Sequence, residues 1–280
     1  MLSHTIEGPI FHIHIANPGA LNSFTIPQFV ELAHLFDMAD AETSTAITLL
    51  TAEGSFFSTG ANIKHVSQIT NQSRIEYYDK ITSKNILLVH TILNHSKLIV
   101  AALNGPVIGL SAALVCLMDI IYARKEPPSD HSNSNSNSND TTTPYMQFPF
   151  ASIGLINECG VSASLPYRLG LTRALEAVSL ARRISLEELT ASGLVSRTFT
   201  TSSVAEFNEI VQKEVLKLSK GLAFDSITEN KLLIKQAFKE QVERQIVDES
   251  LRGLNRWVHE RPQSAFSAMV LKNKHPKGKL

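Results

Sequence analysis

Apolar and polar residues alternate in IFHIHI, residues 10–15, with the period of two that a half-buried β-strand shows. The turn cluster NPGALN (17–22) follows. Thr25 and Pro27 then open a helix whose apolar face is Ile26, Phe29, Val30, Ala33 and Phe36, spaced for the helical period. AITLL (46–50) and KLIVAAL (97–103) are unbroken apolar runs, as in strands covered on both faces. Residues 72–94 carry helical periodicity, and DIIYA (119–123) predicts a further strand. Beyond residue 160 the pattern is helical. Ser185 to Glu188 forms a capping box, Gly193 stops that helix, and amphipathic helices are predicted over 204–218, 226–241 and 243–258. Strands alternating with helices predict an α/β core over residues 1–200, followed by a helical C-terminal part over 201–280.

One stretch is foreign to this patterning. PPSDHSNSNSNSNDTTTP (127–144) has no apolar residue to bury. It reads as a disordered surface insertion that lengthens a connection without entering the core.

Composition narrows the classes. The chain of 280 residues has 26 Lys+Arg against 26 Asp+Glu, so it lacks the basic surface of a phosphate-backbone binder, and no nucleic-acid partner is expected. The only cysteines, Cys116 and Cys159, lie in apolar segments. This is no disulfide framework, and a reducing compartment fits. No apolar run reaches about 18 residues without a polar break, so no membrane span is expected. The N-terminal MLSHTIEGPIFHIHIANPG lacks a charged start and a long apolar stretch, and no secretory signal is expected. No Cys/His cluster has zinc spacing, and there is neither a GxGxxG nor a phosphate-binding loop, so neither a metal nor a separate cofactor is expected.

Two turns share a geometry. FFSTGAN follows the strand at 46–50, and NGPVIGLSAAL follows the strand at 97–103. Each places a glycine before a small or helix-opening residue. Two such turns can aim two backbone N–H groups at one point, an oxyanion hole; each is also an ordinary glycine turn. Glu158 stands inside GLINECGVSASLP (154–166), among small and apolar residues. It is either an acid/base tuned by burial or a glutamate favoured by the start of a helix. Ser111, in GLSAA, loosely matches a nucleophile elbow, but its turn is too long, and a helix-start residue is the plainer reading. Cys159 reads as a packed thiol.

ANPGALNSF, FFSTGANIKH, LNGPVIGLSAAL, MDIIYA and PFASIGLINECG, in this order and spacing, resemble the crotonase (enoyl-CoA hydratase/isomerase) superfamily, and within it the fungal peroxisomal 3,2-trans-enoyl-CoA isomerases. The resemblance runs from about residue 5 to about residue 200. It implies a spiral of ββα repeats, a helical C-terminal trimerisation part, and trimers often paired into hexamers. It also implies an acyl-CoA substrate, with coenzyme A as part of that substrate.

The resemblance assigns oxyanion N–H groups to Ala61 and Leu110, and substrate contacts to Thr59, Gly60, Ala61, Asn62, Ile63 and Leu110. The two glutamates of the family's hydratases fall on Ala113 and Phe150, so hydration is not expected. The carboxylate that serves the isomerases falls on Glu158, with Asn85 as its orienter. The implied reaction moves the double bond of a 3-enoyl-CoA to give 2-trans-enoyl-CoA. The alternatives are 3,5-dienoyl-CoA to 2,4-dienoyl-CoA isomerisation, which in the family uses a second carboxylate at the Phe150 position, a non-catalytic acyl-CoA-binding subunit, and a serine hydrolase using Ser111. Gly278-Lys279-Leu280 differs from the peroxisomal signal Ser-Lys-Leu only at its first residue. A peroxisomal matrix location, reached through the import receptor, is therefore expected.

Overall fold

The computed structural model describes residues 1–127 and 142–274. Most of the Ser-Asn insertion and the C-terminal Gly278-Lys279-Leu280 lie outside the described residues. Six strands form the larger sheet, in the order β1-β2-β3-β4-β6-β9. They are β1 (Leu2–Glu7), β2 (Ile10–Ile15), β3 (Ile47–Ala52), β4 (Leu98–Leu103), β6 (Ile120–Lys125) and β9 (Arg197–Thr200). Within this sheet, among the described residues, only the β1–β2 pair is antiparallel. The smaller sheet is β5 (Val107–Ile108), β7 (Tyr145–Gln147) and β8 (Ile184–Ser185).

The two sheets are stitched by a repeating path. After β3 the chain reaches Ser58, which bridges Val107 in parallel, and β5 in turn pairs with β7 in parallel. Each turn thus gives a long strand to the large sheet, a short extended stretch to the second layer, and then a helix. This is a spiral of ββα units.

The apolar runs at 46–50 and 97–103 are covered on both faces, as their lack of alternation predicts. Leu50, Ala52, Ile99, Ala101 and Leu103 point into the main core. Ile47, Leu49, Val100 and Ala102 point the other way, against Phe207, Val211 and Val215 of α9 (Val204–Ser219). On the first face α1 (Ile26–Ala41) packs beside α4 (Ser83–Asn94). A capping box joins Thr25 to Gln28 at the start of α1. Between them lie α2 (Ile63–Val66) and α3 (Arg74–Tyr77), and a π turn over Tyr78–Thr82 links α3 to α4.

The helical pattern expected beyond residue 160 needs correction. After α6 (Val161–Leu169) and α7 (Leu171–Ser179), β8 comes before α8 (Leu186–Ala191) and β9 comes between α8 and α9. Both strands are short, and β9 is mostly exposed, so neither carries a readable apolar period. The helices expected at 226–241 and 243–258 are one helix, α10 (Phe224–Val258). No Gly or Pro separates them, and one buried stripe runs through Phe238, Val242, Ile246, Glu249, Gly253 and Trp257. α11 (Arg261–Lys274) then folds back over the core. Among the described residues no helix is long and apolar enough to cross a membrane.

Candidate active site

Three segments meet around one cavity of about 280 Å³. The first is the loop after β3. Phe24 donates to Gly60 O at 2.8 Å, and Asn62 donates to Phe24 O at 2.7 Å. The intervening Ala61 N–H is turned away from this ladder and has no protein acceptor among the described residues. The second segment is the turn from β5 into α5 (Leu110–Val115). Leu110 opens that helix, where N–H groups have no intrahelical partner, and its N–H also lacks a protein acceptor among the described residues. Gly60 lets the two loops touch. Its φ is +79°, and a Cβ there would stand 2.7 Å from Ile108 O and 3.1 Å from Leu110 N. Ala61 and Leu110 both line the cavity, and two free donors on adjoining loops can hold a developing oxyanion.

The third segment carries Glu158 into the cavity, just before α6. Cys159 sits in the left-handed region at φ +58°, which costs a non-glycine residue on the order of 1 kcal/mol. Gly160 follows at φ +75°, so close to α10 that a Cβ would meet Val242 Cγ1 at 2.4 Å. Pressed between α5, α6 and α10, this loop holds the carboxylate in one place. Its surroundings are apolar: Phe29, Ile81, Phe150, Trp257 and Phe266 line the same cavity, and among the described residues Lys84 is the other charged group there. Burial pushes the Glu158 pKa up to about 7, the Glu249 charge adds to the rise, and the Trp257 N–H pulls the other way. A carboxyl poised there can take a proton and return it near neutral pH.

Glu249 is a residue that the sequence reading missed. From α10 its carboxylate accepts Gly160 N–H at 2.7 Å and Ser162 N–H at 2.8 Å, so it caps the start of α6 directly behind Glu158. Its signal in the sequence is its place on the buried stripe of α10, three residues after Ile246 and four before Gly253. Trp257, Phe266 and Met269, which close the cavity from α10 and α11, were also missed, because nothing in the helical tail points to the core it will cover.

The expected site residues are only partly brought together. Thr59, Ala61, Ile63, Leu110, Asn85 and Glu158 line the cavity, whereas Gly60 and Asn62 do not. Asn62 is turned away as a helix cap, its Oδ1 accepting His65 N–H at 3.1 Å and its Nδ2 donating to Ser23 Oγ at 3.2 Å. Asn85 stands beside Glu158 in the cavity, but no hydrogen bond joins them among the described residues. Ser111 is the second residue of α5, buried, with its hydroxyl 2.8 Å from Ser58 Oγ. A serine paired with another serine has no base to activate it. Burial pushes the Cys159 thiol well above its usual pKa, with Glu158 and Glu249 adding to it, so it is a packed thiol and no nucleophile. Ala113 is buried within α5, and Phe150 presents a ring to the cavity. Among the described residues Glu158 is the one carboxylate lining it.

The chain and its architecture have relatives. The chain is 29% identical over 282 residues to the 3,2-trans-enoyl-CoA isomerase of Saccharomyces cerevisiae, covering 98% of this chain and 95% of that protein. It is 31% identical over 291 residues to a Delta(3,5)-Delta(2,4)-dienoyl-CoA isomerase of Pyricularia oryzae, covering 98% of both. The crystal structure of an enoyl-CoA hydratase/isomerase from Mycobacterium paratuberculosis superposes with a TM-score of 0.80, at 20% identity, over 95% of this chain and 97% of that one. The enoyl-CoA hydratase/isomerase family profile matches residues 5–266, and the chain belongs to that family.

Proposed function

We propose that the protein is an enoyl-CoA delta isomerase that moves the double bond of a 3-enoyl-CoA to the 2-trans position. One observation carries this reading. Among the described residues a single carboxylate, with its pKa raised to about 7, shares an apolar cavity with two unpaired backbone N–H groups. Hydration needs a water held and activated beside the double bond. Moving a double bond needs only one group that removes a proton and returns it.

Glu158 takes a proton from C2. The C–H electrons spread over C2–C4 and onto the thioester oxygen, which receives hydrogen bonds from Ala61 and Leu110 N–H. The Glu158 carboxyl then returns the same proton to C4, leaving the double bond between C2 and C3. Atoms and charge balance without an external reagent, and one base reaches both carbons because the dienolate is flat. The base step is worth about 10²–10⁴-fold. Each oxyanion donor is worth roughly 2.7–4 kcal/mol. Thr59 and Ile63 are assigned to the acyl-CoA near its thioester, and Asn85 acts by its polarity beside Glu158 rather than by a direct bond.

The test is an ultraviolet assay with 3-enoyl-CoA and 3,5-dienoyl-CoA side by side, following the appearance of the conjugated thioester. Turnover of the monoene supports the reading. Turnover confined to the diene assigns the dienoyl reaction instead, and binding without turnover of either assigns an acyl-CoA-binding subunit. Self-association into trimers, or hexamers, belongs to the same reading. It is supported by Tyr167, Leu171 and Leu175, exposed on α6 and α7, and sedimentation tests it. A peroxisomal matrix address belongs to the same reading, and the likeness to the peroxisomal enoyl-CoA delta isomerase 3 of Mus musculus, 26% identical over 202 residues, supports it. Residues 269–280 fused to a fluorescent protein test it, and a diffuse signal rejects it.

A further inference from the structure

Ser58 and Ser111 lie behind the two free N–H groups, and both are buried. Ser58 Oγ donates to Asn22 O at 2.7 Å, accepts Gly60 N–H at 3.1 Å, and stands 2.8 Å from Ser111 Oγ. A serine hydroxyl has one proton and two lone pairs. The Ser58 proton is committed to Asn22 and one lone pair to Gly60. Ser111 therefore donates its own proton to the remaining lone pair, and the bonding capacity of Ser58 is full. The far end of the chain of bonds is fixed as well, since Asn22 Nδ2 donates to Glu53 O and Phe56 O, each at 2.8 Å.

The positions of these groups in the chain matter. Gly60 immediately precedes Ala61, and Ser111 immediately follows Leu110. One hydroxyl thus ties the residue before one donor to the residue after the other. Ile108 N–H donates to Ser58 O at 2.9 Å alongside it. A hydroxyl among Ala112, Ala113 and Leu114 is costly to bury without a partner, and an alanine would pack there as well. Resting on the isomerase reading above, we propose that Ser58 and Ser111 are positioning residues, a hydroxyl strut that sets the spacing of the Ala61 and Leu110 N–H groups around the thioester oxygen. Oxyanion donors act only within about 2.7–3.1 Å of where the charge develops, and a misplacement of about 1 Å can cost about 10²-fold in rate.

The test compares Ser111→Ala, Ser58→Ala and the double variant with the wild type. The first readout is kcat and KM on 3-enoyl-CoA. The second is the absorption band of bound 2,4-hexadienoyl-CoA, which moves to longer wavelength when its thioester oxygen is polarised. Each single variant is expected to lose about tenfold in kcat, with KM within about threefold and a smaller band shift. The double variant is expected to match Ser58→Ala, because Ser111 acts through Ser58. Thermal midpoints are measured in parallel. A kcat loss that follows the midpoint while the bound band keeps its full shift overturns the strut. Wild-type rates and spectra in both single variants, or additive losses in the double, overturn it too. A wild-type protein that turns over neither monoene nor diene instead sinks the isomerase reading, and the strut with it.

Discussion

Glu158 and Glu249 line the same small void, about 10 Å³, together with Asn85, Cys159 and Gly253. Two carboxylates around one void raise the cost of ionising either. Burial pushes the Glu249 pKa up even though Ser162 and Gly160 donate hydrogen bonds that lower it. The one glutamate therefore helps to hold the other near neutrality while building the helix start beside it.

This relationship sets a pH dependence. A base must be deprotonated to act, so kcat/KM is expected to rise with pH through about 7 and level off above it. In Glu249→Gln the neighbouring charge is gone, and the acid limb is expected to move below 7. Burial is the larger cause and remains, so the limb stays above the ordinary 4.5. An unchanged limb in a folded Glu249→Gln protein would show that Glu249 acts only as a helix cap.

Glu158→Gln is expected to abolish turnover while acyl-CoA binding survives, since shape is kept and the proton acceptor is lost. More than a tenth of wild-type turnover would rule out a single-base mechanism. The same variant is expected to be more stable than wild type at pH 8. The Glu158 pKa is raised on folding, so its favourable contribution is complete below about 4.5 and is lost as pH rises through about 7. At pH 8 the folded wild type carries the full cost of a buried carboxylate, on the order of 3 kcal/mol. The gain in thermal midpoint is expected to shrink toward zero near pH 4. A gain that did not vary with pH would mean that packing, not ionisation, separates the two proteins.

The close approach of the two donor loops gives a third prediction. In Gly60→Ala the new Cβ would face Ile108 O at 2.7 Å, in a backbone region that disfavours side chains. The loops must part, and a stability loss of about 1–3 kcal/mol is expected. Turnover is expected to fall further than stability accounts for, because Leu110 N lies next to the clash. Denaturant melts alongside kinetics check this, and wild-type kcat would mean that the donor spacing tolerates the shift.

The legible part of the fold was the part with a single period over several residues. β3 and β4 announced themselves as unbroken apolar runs, and α1 by its cap and its face. β8 and β9 are too short to show a period, and the two helices expected at 226–241 and 243–258 are one, because a single buried stripe runs the length of α10. Among the site residues, Ala61, Leu110 and Glu158 stood within ordered motifs near glycines. Glu249 and Trp257 lie on the buried stripe of α10, but what they meet is set by how a distant helix docks, which that stripe does not encode. The resemblance assigned Asn62 a substrate contact, but its side chain answers a nearer demand, accepting the His65 N–H at the start of α2.

A buried ionic cluster adds to that docking. Asp119, at the start of the chain's run into β6, accepts Ile99 N–H at 2.7 Å and pairs with Lys231 at 2.9 Å and Lys235 at 2.5 Å, both from α10. Asp119 and Lys231 side chains are 6% and 3% exposed. Burial raises the Asp119 pKa, but the Lys235 and Lys231 charges outweigh it and hold the carboxyl below its usual range. Burial also pushes Lys231 down to about 8. Asp119→Asn leaves two ammonium groups beside a neutral amide, and removing one partner of a buried pair costs about 3–5 kcal/mol. Without the anion the Lys231 pKa falls below 8, so the buried charge can be shed by losing a proton. The deficit in thermal midpoint is therefore expected to be largest at low pH, to narrow as pH rises toward 8, and to level off above it, where Lys231 is neutral in both proteins. Because α10 also carries Glu249 and Trp257 to the cavity, loosening its dock is expected to lower turnover in step with the midpoint. A deficit independent of pH would assign Asp119 to the Ile99 hydrogen bond rather than to the clamp on α10.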